Sequence, residues 1–320
     1  VSSIENIVSE SNQYDFKTRN HSLKWLHTFT NDTNLTGRLI HSNYKPQNLF
    51  PEIDSENIIR FESQIQYSSA QFEFTNNNDE DLTYYSGLEI KRYQISPGSL
   101  DPGSGTTINP VILDRETGYE SSAYANIDWK PIPNLSISAG LRLTQFTLVG
   151  PFEEAQYDSD GLYDGVKSFG NQETVSNYFN PEPRLGINYK LGEDTSVKMS
   201  YARIFQYIQN IYNTNTPLPT SRWKISDRYI TPQKNNTFGL GLYQNIPGSN
   251  LELSAEGYYR KTDNNLTYRP GANFFLAEFI ENEITQAEGK SYGLELSLRK
   301  TLGKVNGVFK SSFLNSKLKF

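Results

Sequence analysis

The stretch SRWKISDRY, residues 221–229, gathers Arg222, Trp223, Lys224, Arg228 and Tyr229. Guanidinium and aromatic groups are the usual energetic anchors of recognition surfaces, so this segment is the leading candidate for contact with a ligand. The competing reading is structural, with Trp223 and Tyr229 packing the segment onto a rim. A second cluster, DSDGLYDG at 158–165, sets Asp158, Asp160 and Asp164 among glycines. Calcium takes such oxygens, but the EF-hand loop pattern and its closing Glu are missing, which leaves a solvated acidic loop as the better reading. His21, His27 and His41 lack ligand spacing with a carboxylate partner and read as surface or lumen histidines. The sequon Asn265-Leu-Thr267 is of a kind expected by chance in an Asn-rich chain.

No phosphate loop, nucleophile elbow or zinc-binding HExxH is present, so neither catalytic residues nor a cofactor is expected. The chain has no cysteine, which excludes disulfides, thiolate metal sites and a cysteine nucleophile. A net charge of −6 and a pI near 5.3 argue against a nucleic-acid partner, because phosphate neutralisation needs surplus Lys and Arg.

The elements that carry these residues announce themselves by alternation. In LSISAGLRLTQF (135–146), Ile137, Ala139, Leu141 and Leu143 fall on one face of a strand, and Ser138, Gly140, Arg142 and Thr144 on the other. Reading the chain this way predicts strands near 16–30, 34–45, 58–75, 82–95, 119–130, 135–149, 182–191, 195–208, 233–246, 251–268, 287–302 and 307–320. A phase change between Tyr67 and Phe72 suggests a bulge. Arg142, Arg184 and Lys198 lie on the polar face, either lining a lumen or pairing with carboxylates such as Glu252, Glu256 and Glu295.

Alternation alone does not say which face meets water. A soluble sandwich hides the apolar face in a core, whereas a membrane barrel turns it to lipid. The connections decide. Tight turns at 31–34, 76–81, 131–134, 192–194, 247–250 and 302–305 alternate with long segments at 46–57, 96–118, 150–181, 209–232 and 269–286. Outer-membrane barrels have short turns on the periplasmic side and long loops outside. The reading is therefore all-β, a transmembrane antiparallel up-and-down barrel wall. Phe29, Trp129 and Tyr189 near the short turns, and Tyr44, Tyr93, Phe146 and Tyr207 near the long loops, fit two aromatic girdles. Most strands exceed the roughly 9 to 11 residues needed to span a bilayer, so the wall should project beyond it.

At this point a family resemblance is visible. NPEPRLGINYKLGEDTSVKMSYARIFQYI (180–208), WKISDRYITPQKNNTFGLGLY (223–243) and AEGKSYGLELSLRKTLGKVNG (287–307) resemble the barrel region of TonB-dependent outer-membrane receptors, particularly the Bacteroidetes type. YQISPGSLDPGSGTTINP (93–110) is similar to a loop of the same group. The resemblance implies a barrel of about 22 strands filled by an N-terminal plug, of which residues 1–320 supply about 12 strands and no plug. It also implies a bacterial outer-membrane location in contact with lipid and energised uptake of an iron chelate, oligosaccharide or peptide. The implied partners are the TonB complex, reached through segments upstream of Val1, and a surface lipoprotein. A true terminus at Phe320 is the alternative to truncation. A passive porin, adhesin or structural barrel is the alternative function, and a soluble β-sandwich or propeller the third.

Overall fold

A computed structural model describes residues 13–30, 32–51, 57–104, 107–211, 222–269, 271–272 and 276–319. Its strands are β1 (Gln13–Thr30), β2 (Thr33–Pro51), β3 (Ile58–Asp79), β4 (Leu82–Asp101), β5 (Val111–Ile112), β6 (Glu116–Ile132), β7 (Leu135–Val149), β8 (Phe152–Tyr157), β9 (Tyr163–Phe169), β10 (Thr174–Lys190), β11 (Thr195–Gln206), β12 (Ile208–Ile211), β13 (Arg222–Ile225), β14 (Gln233–Ile246), β15 (Leu251–Tyr268), β16 (Ile284–Lys300) and β17 (Gly307–Lys319). The long strands form one antiparallel wall in the order β1-β2-β3-β4-β6-β7-β10-β11-β14-β15-β16-β17, with β5 beside β4. Hairpins β8–β9 and β12–β13 stand apart from it. Every predicted strand is present and consecutive long strands are neighbours.

The short turns share one rim. Adjacent turns are tied along it by the amides of Asn77, Lys130, Lys190, Asn245 and Thr301, which donate to the carbonyls of Asp32, Asp81, Asn134, Asp194 and Asn250. The turn at 247–250 closes because Gly248 and Asn250 both take the left-handed conformation, at φ of 74° and 55°.

Register makes the alternation three-dimensional. Trp129, Ile137, Ile187, Met199, Leu240, Gly257, Leu294 and Phe313 are successive cross-strand partners on one face. Leu240 is 57% exposed and Phe313 61%. So continuous an apolar surface is unstable against water and is the surface a bilayer wets. Hydrophobic packing gathers instead on the opposite, lumen-side face at the long-loop end. There Ile95 of β4 and Phe146 and Leu148 of β7 pack with Phe152, Phe169, Tyr207 and Ile225. The loops therefore fold inward over the mouth of the wall. A second cluster, Ile211, Ile230, Ile280 and Ile284, secures the 276–283 segment.

Three expectations are corrected. The β3–β4 register runs unbroken from Gln64 to Asn76, and its two irregularities lie between Glu62 and Gln64 and between Asn76 and Asp79, not between Tyr67 and Phe72. The aromatics expected for the outer girdle are not on the lipid face: Phe146 and Tyr207 are buried and stacked with centroids 4.5 Å apart, and Tyr93 packs against the same inner cluster, whereas Phe179, Tyr259 and Tyr292 are exposed on the apolar face toward the long-loop end. Trp129 and Tyr189, near the short turns, are exposed on the apolar face as a girdle requires. Finally, β10 begins at Thr174 despite Pro181 and Pro183. Its ladder with β11 covers only Arg184–Lys190, so the prolines sit where pairing on that side has ended.

If the apolar face meets lipid, Leu240→Arg should lower unfolding stability by about 2–4 kcal/mol in a bilayer. Ser200→Arg, on the opposite face beside Gly239, should change it little. Denaturant titration in lipid vesicles reads both.

Candidate functional site

The loop end is built around one buried ammonium. Lys224 sits on β13, which pairs with β12 as Gln209↔Lys224, and the hairpin lies against β4 and β6. Its Nζ is 2.8 Å from Glu116 Oε1 and 2.8 Å from Asp227 Oδ2, and the three side chains are 2%, 5% and 2% exposed. Glu116 Oε2 also accepts the Ile225 amide at 2.8 Å, and Asp227 Oδ1 accepts the amides of Tyr229 and Ile230. Burial opposes the charge on Lys224, but the Asp227 and Glu116 carboxylates outweigh it and hold the ammonium above the ordinary lysine range.

The other residues of the segment divide by exposure. Arg222 is buried and its Nη1 donates to the Ala277 carbonyl; burial pushes the guanidinium below its usual range. Trp223 is half-buried against the inner cluster. Tyr229 donates to the Ala155 carbonyl at 2.9 Å and meets Tyr157 edge-on at 5.5 Å. Arg228 is exposed, 4.0 Å from Glu154. Ser221 lies outside the described residues. Thus Arg222 and Lys224 brace the segment from below, while Arg228 and the edge of Tyr229 face outward.

Beside Lys224 is a cavity of about 250 Å³ lined by Asp114, Glu116, Glu153, Arg222, Lys224 and Glu281 among others. Arg222 Nε and Glu281 Oε2 are buried there without a hydrogen-bond partner. Burial, chiefly, raises the Glu281 carboxyl above its ordinary range. A polar cavity with unsatisfied groups is suited to water or to polar groups of a ligand.

Below the cap a second network crosses the lumen-side face. Arg142 pairs with Glu89 and lies 3.6 Å from Glu120, and Lys91 holds Glu120 at 2.8 Å and Glu89 at 3.4 Å. Tyr93 donates to Glu120, Tyr124 to Glu73 and Thr144 to Glu182. Tyr124 can lie across the strand only because residue 87 is glycine, where a Cβ would stand 2.5 Å from its ring. Arg184 shares this face, 4.0 Å from Glu182, and Lys198 rests 4.2 Å from the centre of the Tyr243 ring. The carboxylates that Arg142 meets are therefore Glu89 and Glu120, not Glu252, Glu256 or Glu295.

Asp158 Oδ1 accepts the amides of Asp160 and Leu162, so it closes the β8–β9 turn, and Asp164 is exposed on β9. Among the described residues no cluster of three or more acidic or histidine side chains is arranged for a metal. Sequence reasoning missed Glu116 and Glu281. Glu116 stands in step with Glu120, Ser122 and Tyr124 on the polar face and was within reach of the alternation; Glu281, in an irregular segment, carried no such signal.

Compared with known proteins, residues 3–317 match the family model described as TonB dependent receptor-like, beta-barrel. No curated protein sequence matches. A copper transporter, OprC, superposes with a TM-score of 0.66 at 13% identity, covering 94% of this chain and 47% of that one. The ferric yersiniabactin uptake receptor FyuA from Yersinia pestis gives 0.58 at 14% identity, covering 97% and 44%. The RagAB peptide transporter gives 0.54 at 15% identity, covering 95% and 37%. The chain spans about half the length, or less, of these structures.

The buried triad makes a sharp expectation. Lys224→Met leaves two buried carboxylates uncompensated and should cost about 3–5 kcal/mol, seen as faster amide exchange of Ile225 and Ile230. Because the Lys224 pKa is raised by folding, its contribution is complete below the unfolded lysine value and is lost as pH rises through the folded one. Protection of these amides, corrected for intrinsic exchange, should therefore hold across neutral pH and collapse only in strong alkali.

Proposed function

The chain belongs to the TonB-dependent receptor-like β-barrel family of bacterial outer-membrane proteins, and from that premise we propose that it is the cargo-facing barrel wall of an energised importer. The observation that carries the proposal is the match over residues 3–317, joined to a wall whose apolar face runs continuously from strand to strand. In this reading residues 1–320 are part of one barrel domain. Further strands complete it, since strand edges cannot remain unpaired in hydrocarbon, and a plug and a TonB-binding segment belong to the same protein. A surface lipoprotein is a further partner of the long-loop end.

Cargo meets the inward-folded cap. Arg228 and Tyr229 offer a guanidinium and an aromatic edge on a segment whose backbone is fixed by Asp227 and Lys224, so little entropy is lost on binding. The carboxylate-rich cavity beside Arg222 favours cargo presenting hydrogen-bond donors or positive charge. Ferric chelates, oligosaccharides and peptides are the classes to screen.

The test is uptake by cells expressing the full-length gene, with and without a working TonB complex. Import should vanish without the complex while surface binding persists; uptake that continues would overturn the importer and leave a passive porin, and binding with no uptake in either strain would leave an adhesin. Arg228→Ala, at an exposed side chain, should weaken cargo binding about tenfold, close to 1.4 kcal/mol, without lowering the unfolding temperature.

A further inference from the structure

The outward face of β1 to β6 changes character over two cross-strand rows. Leu23, Leu39, Ala70, Ile90 and Ser121 are successive partners, and the next row toward the long-loop end is His21, His41, Ser68, Arg92 and Tyr119. Ser68 and Ala70 are small and stand between taller neighbours. The result is a groove of about 510 Å³ with apolar walls, closed at its upper end by the imidazoles and the guanidinium. His21, His41 and Arg92 are all exposed on the surface that faces lipid, and His41 is oriented by Ser68 Oγ at 2.9 Å from its Nδ1.

Three basic groups at one level of a lipid-facing wall are expensive unless something anionic meets them. The local charge is not balanced from within the wall. Arg19 and Lys17 continue the basic character above His21; of the carboxylates on this face, Asp15 lies beyond Lys17 and accepts from Gln13 and Gln47, and Glu62 is held by Lys45 at 2.7 Å, so neither pairs with His21, His41 or Arg92. Arg92 stands on β4 ten residues above Leu82, where the strand leaves its short turn. At a rise of about 3.3 Å per residue and a barrel tilt of 35–45°, that height is about 25 Å, the thickness of the apolar band. The basic row therefore stands at the far edge of the hydrocarbon.

We propose that this groove seats a phosphate-bearing lipid of the outer leaflet, with an acyl chain over Ser68 and Ala70 and its phosphate among Arg92, His41 and His21. A planar guanidinium takes phosphate oxygens in a bidentate fork, the imidazoles add donors, and the groove holds the chain where a flat wall would not. The assignment rests on the long-loop end facing outward, as in the importer reading. It needs neither cargo nor energy coupling, so failure of import leaves it standing and failure of lipid binding leaves import standing.

The test is native mass spectrometry of the full-length receptor, released from detergent with added diphosphorylated lipid A, with dephosphorylated lipid of the same acyl chains, or with inorganic phosphate. The phosphorylated lipid should give a retained adduct that inorganic phosphate does not displace. Combined His21→Ala, His41→Ala and Arg92→Ala should weaken it about tenfold or more. Ala70→Phe fills the groove, leaves every cation in place and should weaken it too, and Arg92→Gln alone guards against a triple variant that fails to fold. Equal binding of the dephosphorylated lipid, unchanged affinity in Arg92→Gln and Ala70→Phe, or occupancy by phosphate without lipid would each overturn the proposal.

Discussion

Backbone amides and carbonyls have no partner in hydrocarbon except one another, and the molecule is organised around that constraint. A sheet satisfies it by pairing every strand on both sides. Period-two alternation then follows, because each strand has one face toward lipid and one away from it. Mean hydropathy stays low at −0.63 because only half of each strand must be apolar and the projecting parts need not be. Short turns tied along one rim hold the strands in register, and that register turns scattered Leu, Ile and Phe residues into one continuous band.

The same constraint explains why charge collects inside. Glu89, Lys91, Glu120 and Arg142 come from β4, β6 and β7 and meet on the face that lipid does not touch. Higher up, Lys224, Glu116 and Asp227 are almost fully buried, where the cost of desolvation rivals the attraction between charges. Such a triad is a weak source of stability but a strict one in geometry. A displaced β12–β13 hairpin would strand two carboxylates, so the hairpin has one seat. Apolar contacts of Ile225 with Phe146 and Leu148 supply the adhesion that the ions do not.

The wall was legible in the sequence because alternation and turn chemistry are local. All the long strands and the alternation of short and long connections could be read from residues a few positions apart. The cap was not, because its contacts are remote in sequence: Glu116 reaches Ile225 across more than a hundred residues. Distance from a loop does not by itself say which aromatics face lipid. Tyr93 and Phe146 look like girdle residues from their distance to a loop, yet their parity puts them on the inner face, where the cap buries them. The early start of β10 was hidden for a related reason: Pro181 and Pro183 fit in the strand because there it pairs with β7 and no longer with β11.

Parity is therefore the quantity that sequence reading should carry through such a wall, but height requires the register as well. One complete row runs from Thr28 through Asn34, Thr75, Tyr85, Asn126, Gly140, Arg184, Ala202, Thr237, Arg260 and Ser291 to Ser316. At its β15 to β17 end, the outward residues one step above it are Lys261, Lys290 and Lys317, already basic. At its β1 end the step above is His27, and the apolar face continues through Trp25 and Leu23 before it reaches His21. The row thus meets the upper edge of the apolar band at one end of the wall and lies well inside it at the other. Tilted strands produce this offset, because hydrogen-bonded rows then cross the bilayer obliquely. A residue's depth is set by its strand's place in the wall as much as by its distance from a turn, and the basic groups follow the edge of the hydrocarbon rather than any one row.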